Sequence, residues 1–188
     1  MRTSLPARFA AATPFKFPPR LMKIRPELPA DSEAVRAVNQ AAFGTNAEAD
    51  LVERLRVRAS PLISLVADDS GSIVGHILFS PAILTGEPDV KIMGLAPMAV
   101  LPARQRRAIG STLVRHGLEA CRQLGFGAVV VLGHAEYYPR FGFQPASRFE
   151  LRCEYDVPDE VFMALELESG IFSGKTGTIR YHPAFADR

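Results

Sequence analysis

Cysteine is scarce in this chain: two in 188 residues, Cys121 and Cys153. Two thiols with no paired motif exclude a cysteine metal cluster, and the expectation is reduced, buried thiols in a cytoplasmic protein. Long apolar runs are missing too. The longest candidate, Ile92 to Ala103, is short and interrupted by Pro97 and Pro102, which argues against a membrane-spanning helix. An excess of one charge is also lacking. There are 22 basic and 20 acidic residues, a net +2, and the first 21 positions hold Arg2, Arg8, Lys16 and Arg20 with no acid. Residues 22–188 therefore carry −2, and bulk charge gives no case for a nucleic-acid partner. Finally, the usual nucleotide loops are absent. Gly174-Lys175-Thr176 has no upstream glycine in the Walker spacing, and no dinucleotide fingerprint opens a helix.

What is present is an ordinary globular composition, 47% apolar and 22% charged, in a chain long enough for one core. Residues 1–21 have four prolines, four basic residues and no periodicity. They are expected to be a disordered extension or a mis-assigned start, with the domain running from 22 to 188. From there the pattern alternates. Lys23–Arg25 reads as a short strand, and Asp31 is placed to cap a helix that ends at Gly44. A second helix covers Ala47–Arg58. Two strands flank the turn Asp69-Ser70-Gly71 and predict a hairpin. The run 90–100 is a long strand in which Pro97 predicts a bulge. Ile109–Leu124 has the spacing of an amphipathic helix, and 128–132 that of a strand buried on both faces. A short helix over Ala135–Phe141, strands near 149–153 and 161–167, and a C-terminal hairpin within 173–185 complete the expectation. The class is α/β with a mixed sheet.

The chemistry points to residues 100–111. A strand ends at Val100. A basic loop, Arg104-Gln105-Arg106-Arg107, follows, and Ala108-Ile109-Gly110 open a helix. Strand, loop and helix start form an anion site, because the first helical N–H groups are free and the dipole favours negative charge there. Small residues let phosphate oxygens reach the backbone. The bland alternative is a solvated basic turn before an ordinary helix.

This stretch resembles the acetyl-CoA loop of the GNAT superfamily of N-acetyltransferases, Gln/Arg-x-x-Gly-x-Gly/Ala. Gln105, Ala108 and Gly110 occupy its fixed positions, and Tyr138, Gly142 and Phe143 match the family's Tyr-x-x-x-Gly-Phe ending. The stretches GLAPMAVLP, LGHAEYYPRFGF and FMALEL resemble the YhbS-like branch of that family. The resemblance implies a three-layer fold of six to seven strands, splayed at the cofactor site, with about four helices. It implies acetyl-CoA as acyl donor and direct transfer to an amine, of a small molecule or a protein, through a ternary complex. A homodimer is common in the family.

Residue by residue, the resemblance places the pantetheine arm on the backbone of Met98, Ala99 and Val100, with an N–H near Met98 facing the developing oxyanion. It places pyrophosphate on the N–H groups of Arg106, Arg107, Ala108, Ile109, Gly110 and Ser111, beside Gln105. One of Arg104, Arg106 and Arg107 falls near a ribose phosphate, and at least one is expected to be a solvated face. Ala108 departs from the family glycine. Its methyl is tolerable in right-handed backbone and costly if φ is positive. Tyr138 is the implied proton donor to the thiolate, the alternative being a packing role, and Tyr137 is expected to be structural. His134 follows a strand end and suits a base by its natural pKa; His76, Glu136, Glu48 and Asp50 are the other candidates. Glu48 and Asp50 suit recognition of a cationic acceptor or a plain exposed helix face. Cys121 reads as core and Cys153 as no nucleophile. A non-catalytic acyl-CoA-binding sensor or subunit is the alternative function. A nucleic-acid module built on Arg104–Arg107 is disfavoured by the domain's charge.

Overall fold

A computed structural model describes residues 22–186. The expected extension, 1–21, lies outside the described residues. The chain runs β1 (Met22–Pro26), α1 (Ser32–Phe43), α2 (Ala47–Arg58), β2 (Ile63–Asp69), β3 (Ser72–Leu84) and β4 (Glu87–Val100). It continues through α3 (Ile109–Gln123), β5 (Ala128–Leu132), β6 (Gln144–Pro145), β7 (Leu151–Cys153), β8 (Phe162–Glu166) and β9 (Gly177–Arg180).

Local chemistry sets the first hairpins. Ser70 and Gly71 have φ of 57° and 91°, the positive pair that a two-residue turn needs to match strand twist. The Asp68 carboxylate accepts the Gly71 N–H at 2.6 Å, so β2 and β3 are joined as the sequence predicts. Asp31 stands at the N-cap of α1, as expected, but its side chain makes no cap bond to the helix. It accepts the Leu28 N–H and pairs with Arg25, which fixes the turn before the helix and holds its carboxyl below the usual range.

The sheet order is β1-β2-β3-β4-β5-β8-β6, with β9 paired to β7 and to the end of β3. It is mixed: β4–β5 and β7–β9 are parallel, the other pairs antiparallel. The element count differs from the expectation. Among the described residues there are three α-helices and nine strands. The expected helix at Ala135–Phe141 is a single 3-10 turn, Tyr138–Phe141. Pro139 removes a donor there, and Gly142 at φ 95° ends the turn. The expected C-terminal hairpin is one strand, β9, which finds its partners far away in sequence. Cys121 is buried, but Cys153 is only half-buried, contrary to the expectation for both thiols.

Helix α3 covers one face. Leu113, Val114, Leu118 and Cys121 pack on Ile77, Phe79, Met93, Leu95, Val129 and Val131. On the other face α1 and α2 set Val35, Val52 and Leu55 against Val66 and Leu78. The C-terminal segment fills the remainder of that face through Phe172, Ile179 and Tyr181. Gly117 lets α3 lie close, since a β-carbon there would fall 2.2 Å from the Phe79 ring. No described helix is long and apolar enough to cross a membrane.

Candidate active site

The site begins with a strand that outruns its neighbour. β4 pairs with β5 only over Ile92–Leu95 against Ala128–Val131. Beyond Leu95, β4 keeps β3 on one side and has no strand on the other. The β3–β4 register slips between Ile77 and Phe79, opposite Met98 and Leu95. The extra residue falls at Ala96-Pro97, where the sequence predicts a bulge, because proline has no N–H to give the ladder. The result is a splay with backbone groups of Met98–Val100 along one edge.

The loop after β4 is tied in place. Gln105 Nε2 donates to the Val100 carbonyl at 3.1 Å, and Arg104 pairs with Asp69 at 2.9 Å. Arg104 and Arg106 both line the cavity, and Arg104 is the one held by a carboxylate. Arg106 and Ala108 both have left-handed backbone, φ 60° and 61°. Such residues gather successive N–H groups into an anion-binding concavity. The first helical bond is Thr112 N–H to the Ala108 carbonyl, 2.9 Å. Among the described residues, none of the N–H groups from Arg106 to Ser111 donates to a backbone carbonyl. Six consecutive donors are thus free at the positive end of α3. The conformation of Ala108 is the costly one, about 1–2 kcal/mol for a residue with a β-carbon.

Splay and loop enclose a cavity of about 730 Å³, the size of a small-molecule site. Of the sequence-assigned cofactor residues, Met98, Ala99, Val100, Gln105, Arg106, Ala108, Ile109, Gly110 and Ser111 line it, and Arg107 does not. His134 lines it as well. Tyr138 does not. It is buried, with its ring over Gly133 and edge-on to Phe143, and burial first, then neighbouring Tyr137, pushes its phenol upward. Tyr137, expected to be structural, is the tyrosine that faces the cavity. Its hydroxyl lies 2.8 Å from where a Gly110 β-carbon would stand, beside the Met98 sulfur.

The assigned acceptor acids are elsewhere. Asp50 pairs with Arg36 at 2.7 Å, and Glu48 accepts from the Thr45 hydroxyl at 2.9 Å. Neither lines the cavity, whereas Ala42 and Phe43 at the end of α1 do. His76 is fully buried in a polar chain with Asn39 and Ser64. Sequence reasoning missed Phe43, Tyr137 and Arg140 as cavity residues. Arg140 stands two places after the motif tyrosine, and its charge in that position was the available signal. Among the described residues no group of acids, histidines and cysteines could hold a metal.

A splayed mixed sheet, a helix start with free N–H groups and a cavity lined by both define a protein that binds a phosphate-bearing acyl carrier along a strand edge. The profile of the acetyltransferase (GNAT) family matches residues 32–143. The uncharacterized N-acetyltransferase YhbS of Escherichia coli K12 is 36% identical over 165 residues, 87% of this chain and 98% of the relative. The crystal structure of Escherichia coli YhbS in complex with CoA superimposes with a TM-score of 0.84 at 33% identity, over 91% of this chain and 95% of that one. A GNAT acetyltransferase from Brucella melitensis in complex with acetyl-CoA gives 0.73 at 35%, over 88% and 99%. The chain belongs to the GNAT family, and as a member it is an acetyltransferase with acetyl-CoA as its acyl donor.

Proposed function

We propose that this chain carries acetyl from acetyl-CoA directly to an amine, with both substrates bound together. The observation that carries this reading is the free N–H run from Arg106 to Ser111 beside the unpaired edge of β4. The run suits pyrophosphate and the edge suits the amides of a pantetheine arm.

The amine nitrogen attacks the thioester carbonyl carbon, and the carbonyl oxygen takes up negative charge. A backbone N–H near Met98 stabilises that oxygen. The C–S bond then breaks, the new amide nitrogen gives up its extra proton, and the thiolate gains one from the tyrosine turn, where Tyr137 faces the cavity and Tyr138 behind it is the position that the family motif implies. The proton from nitrogen restores the donor phenol. Burial keeps the Tyr138 phenol protonated, the state a donor requires. An ammonium near pKa ~10 must lose a proton before it attacks. His134, at the cavity wall, takes that proton. The acceptor enters at the α1–α2 end past Phe43.

The test is release of CoA thiol from acetyl-CoA with a panel of small amines and lysine peptides. Product from at least one amine, lowered strongly in Tyr138→Phe and His134→Ala, is the expected result. CoA binding without product for any amine would favour the non-catalytic sensor. Undiminished turnover in Tyr138→Phe would remove the donor role from that residue.

A further inference from the structure

Helix α1 reaches the cavity by a turn that is held at one point. Its buried residues are Val35, Val38 and Asn39, and no residue of α1 after Asn39 is buried. Ala42 and Phe43, three and four places on and so on the same helical face, line the cavity. Asn39 is therefore the last anchor before the cavity wall. It is also the polar member of the buried set. Its Nδ2 donates to the Val35 carbonyl at 2.9 Å and to His76 Nδ1 at 3.1 Å. The His76 ring is held from its far side, with Nε2 2.9 Å from the Ser64 hydroxyl. In register His76 stands opposite Ala99 of β4, and Ala99 lines the cavity too. The Asn39–His76 bond thus joins two cavity walls, each one step away. Phe43 lies one helical turn along α1, and Ala99 lies across the β3–β4 ladder.

Stability alone does not call for asparagine at this position. It is a poor helix former, and its Oδ1 is buried with no partner among the described residues, which is costly. A leucine there would bury more apolar surface. What the amide adds is direction. A hydrogen bond to a ring that is itself fixed sets both the rotation and the axial position of the helix, whereas apolar contact tolerates sliding. We infer that Asn39 is a positioning residue, acting through His76, that fixes the spacing between the last turn of α1 and β4 and so the width of the acceptor mouth. The inference rests on the proposed entry of the acceptor past Phe43.

Calorimetric titration of the full chain tests it, with CoA and with a conjugate in which the CoA sulfur is alkylated by an N-benzylacetamide group. The conjugate reaches from the donor half of the cavity into the acceptor half and needs no turnover. Wild type is expected to bind it more tightly than CoA by on the order of tenfold, the scale of one added aromatic contact. Asn39→Leu should lose that gain with CoA affinity unchanged, which also reports that the variant is folded, and His76→Leu should do the same. His76→Gln, whose amide oxygen still accepts from Asn39, should keep part of the gain. In the double variant, Asn39→Leu with His76→Leu, the Tm should recover relative to either single variant, because an apolar pair replaces both polar partners at once. The gain should nevertheless stay lost. Its return in the double variant would overturn the inference, since packing alone would then position α1. Weakening of CoA and conjugate alike in Asn39→Leu would also overturn it, because Asn39 would then serve the fold as a whole. Equal binding of the two ligands by wild type would overturn it together with the acceptor mouth at Phe43, and would leave the cofactor site standing. Binding of neither ligand would overturn the cofactor site itself.

Discussion

Acidification should destabilise this fold through one buried histidine. His76 is fully buried on β3, and its Nδ1 accepts from Asn39 Nδ2 at 3.1 Å. The amide orientation is fixed because the same Nδ2 also donates to the Val35 carbonyl at 2.9 Å. Nε2 therefore carries the hydrogen and donates to the Ser64 hydroxyl at 2.9 Å. Ser64 donates in turn to the Glu27 carboxylate, which is paired with Arg56. This chain of donors satisfies a neutral imidazole. Glu27 lies 3.8 Å from Nε2 but is already engaged by Arg56 and Ser64. Burial first, then the charge of Arg56, pushes the His76 pKa down to about 3 from 6.5. Between those values the unfolded chain binds a proton that the fold refuses. Stability is thus complete above about pH 6.5 and is lost as pH falls toward 3. At pH 4.5 the loss is about 2–3 kcal/mol, with a ceiling near ~5 kcal/mol below pH 3. Against a typical total of about 5–15 kcal/mol this is large. Urea unfolding of wild type and His76→Gln at pH 7.5 and 4.5 measures it. The carboxylates titrate in both proteins, so the difference between the two isolates the imidazole. Wild type should lose about 2–3 kcal/mol more than the variant. Equal losses, or an imidazole that titrates near 6.5 by NMR, would refute the reasoning.

Four further outcomes follow from the same geometry. Gly117→Ala places a methyl 2.2 Å from the fully buried Phe79 ring. Overpacking should outweigh the better helix propensity and cost about 1–3 kcal/mol, read as a lower Tm. Ala108→Gly removes a methyl from left-handed backbone at the cavity wall. CoA affinity should rise severalfold by calorimetry, while stability moves by less than about 1 kcal/mol, because relief of strain and the greater freedom of glycine oppose each other. Since burial raises the Tyr138 phenol, turnover should show no falling basic limb below about pH 10, where an ordinary phenol ionises; such a limb, absent from Tyr138→Phe, would contradict this. Native protein should expose one thiol to Ellman's reagent, the half-buried Cys153, and two in urea. Cys121 is enclosed and its thiol is pushed up to about 12 by burial.

The elements that sequence reasoning recovered are those whose signal is local. The β2–β3 turn needs two positive φ values, and Ser70-Gly71 supplies them. The break in β4 needs a residue without an N–H, and Pro97 is that residue. Helix α3 declares itself by the three-to-four spacing of Leu113, Val114, Leu118 and Cys121, all of which face the sheet. The strand β9 has no such signature. Its four residues are held by β3 and β7 across long stretches of chain, so its position is a property of the assembled sheet and not of its own residues.

The site divides along the same line. The N–H run at Arg106–Ser111 is a local construction of strand end, tight loop and helix start, and the residues assigned to it from sequence line the cavity, apart from Arg107. The choice between Tyr137 and Tyr138 is not local. In a turn of four residues that begins beside Pro139, neighbouring rings diverge widely, and their burial is decided by what stands opposite. Gly133 offers a bare backbone that accepts the Tyr138 ring, and Gly110 leaves room for the Tyr137 hydroxyl. Two glycines on different elements thus determine which phenol is enclosed and which meets the cavity. The same reasoning explains Asp50: its partner Arg36 is on α1, and that ion pair exists only once α1 and α2 lie side by side. Residue chemistry identified the acids, but helix packing decided whether they were free. The acceptor side is accordingly the part of this enzyme where geometry must precede assignment. There Phe43, which no motif marks, is a better starting point for substitution than either acid.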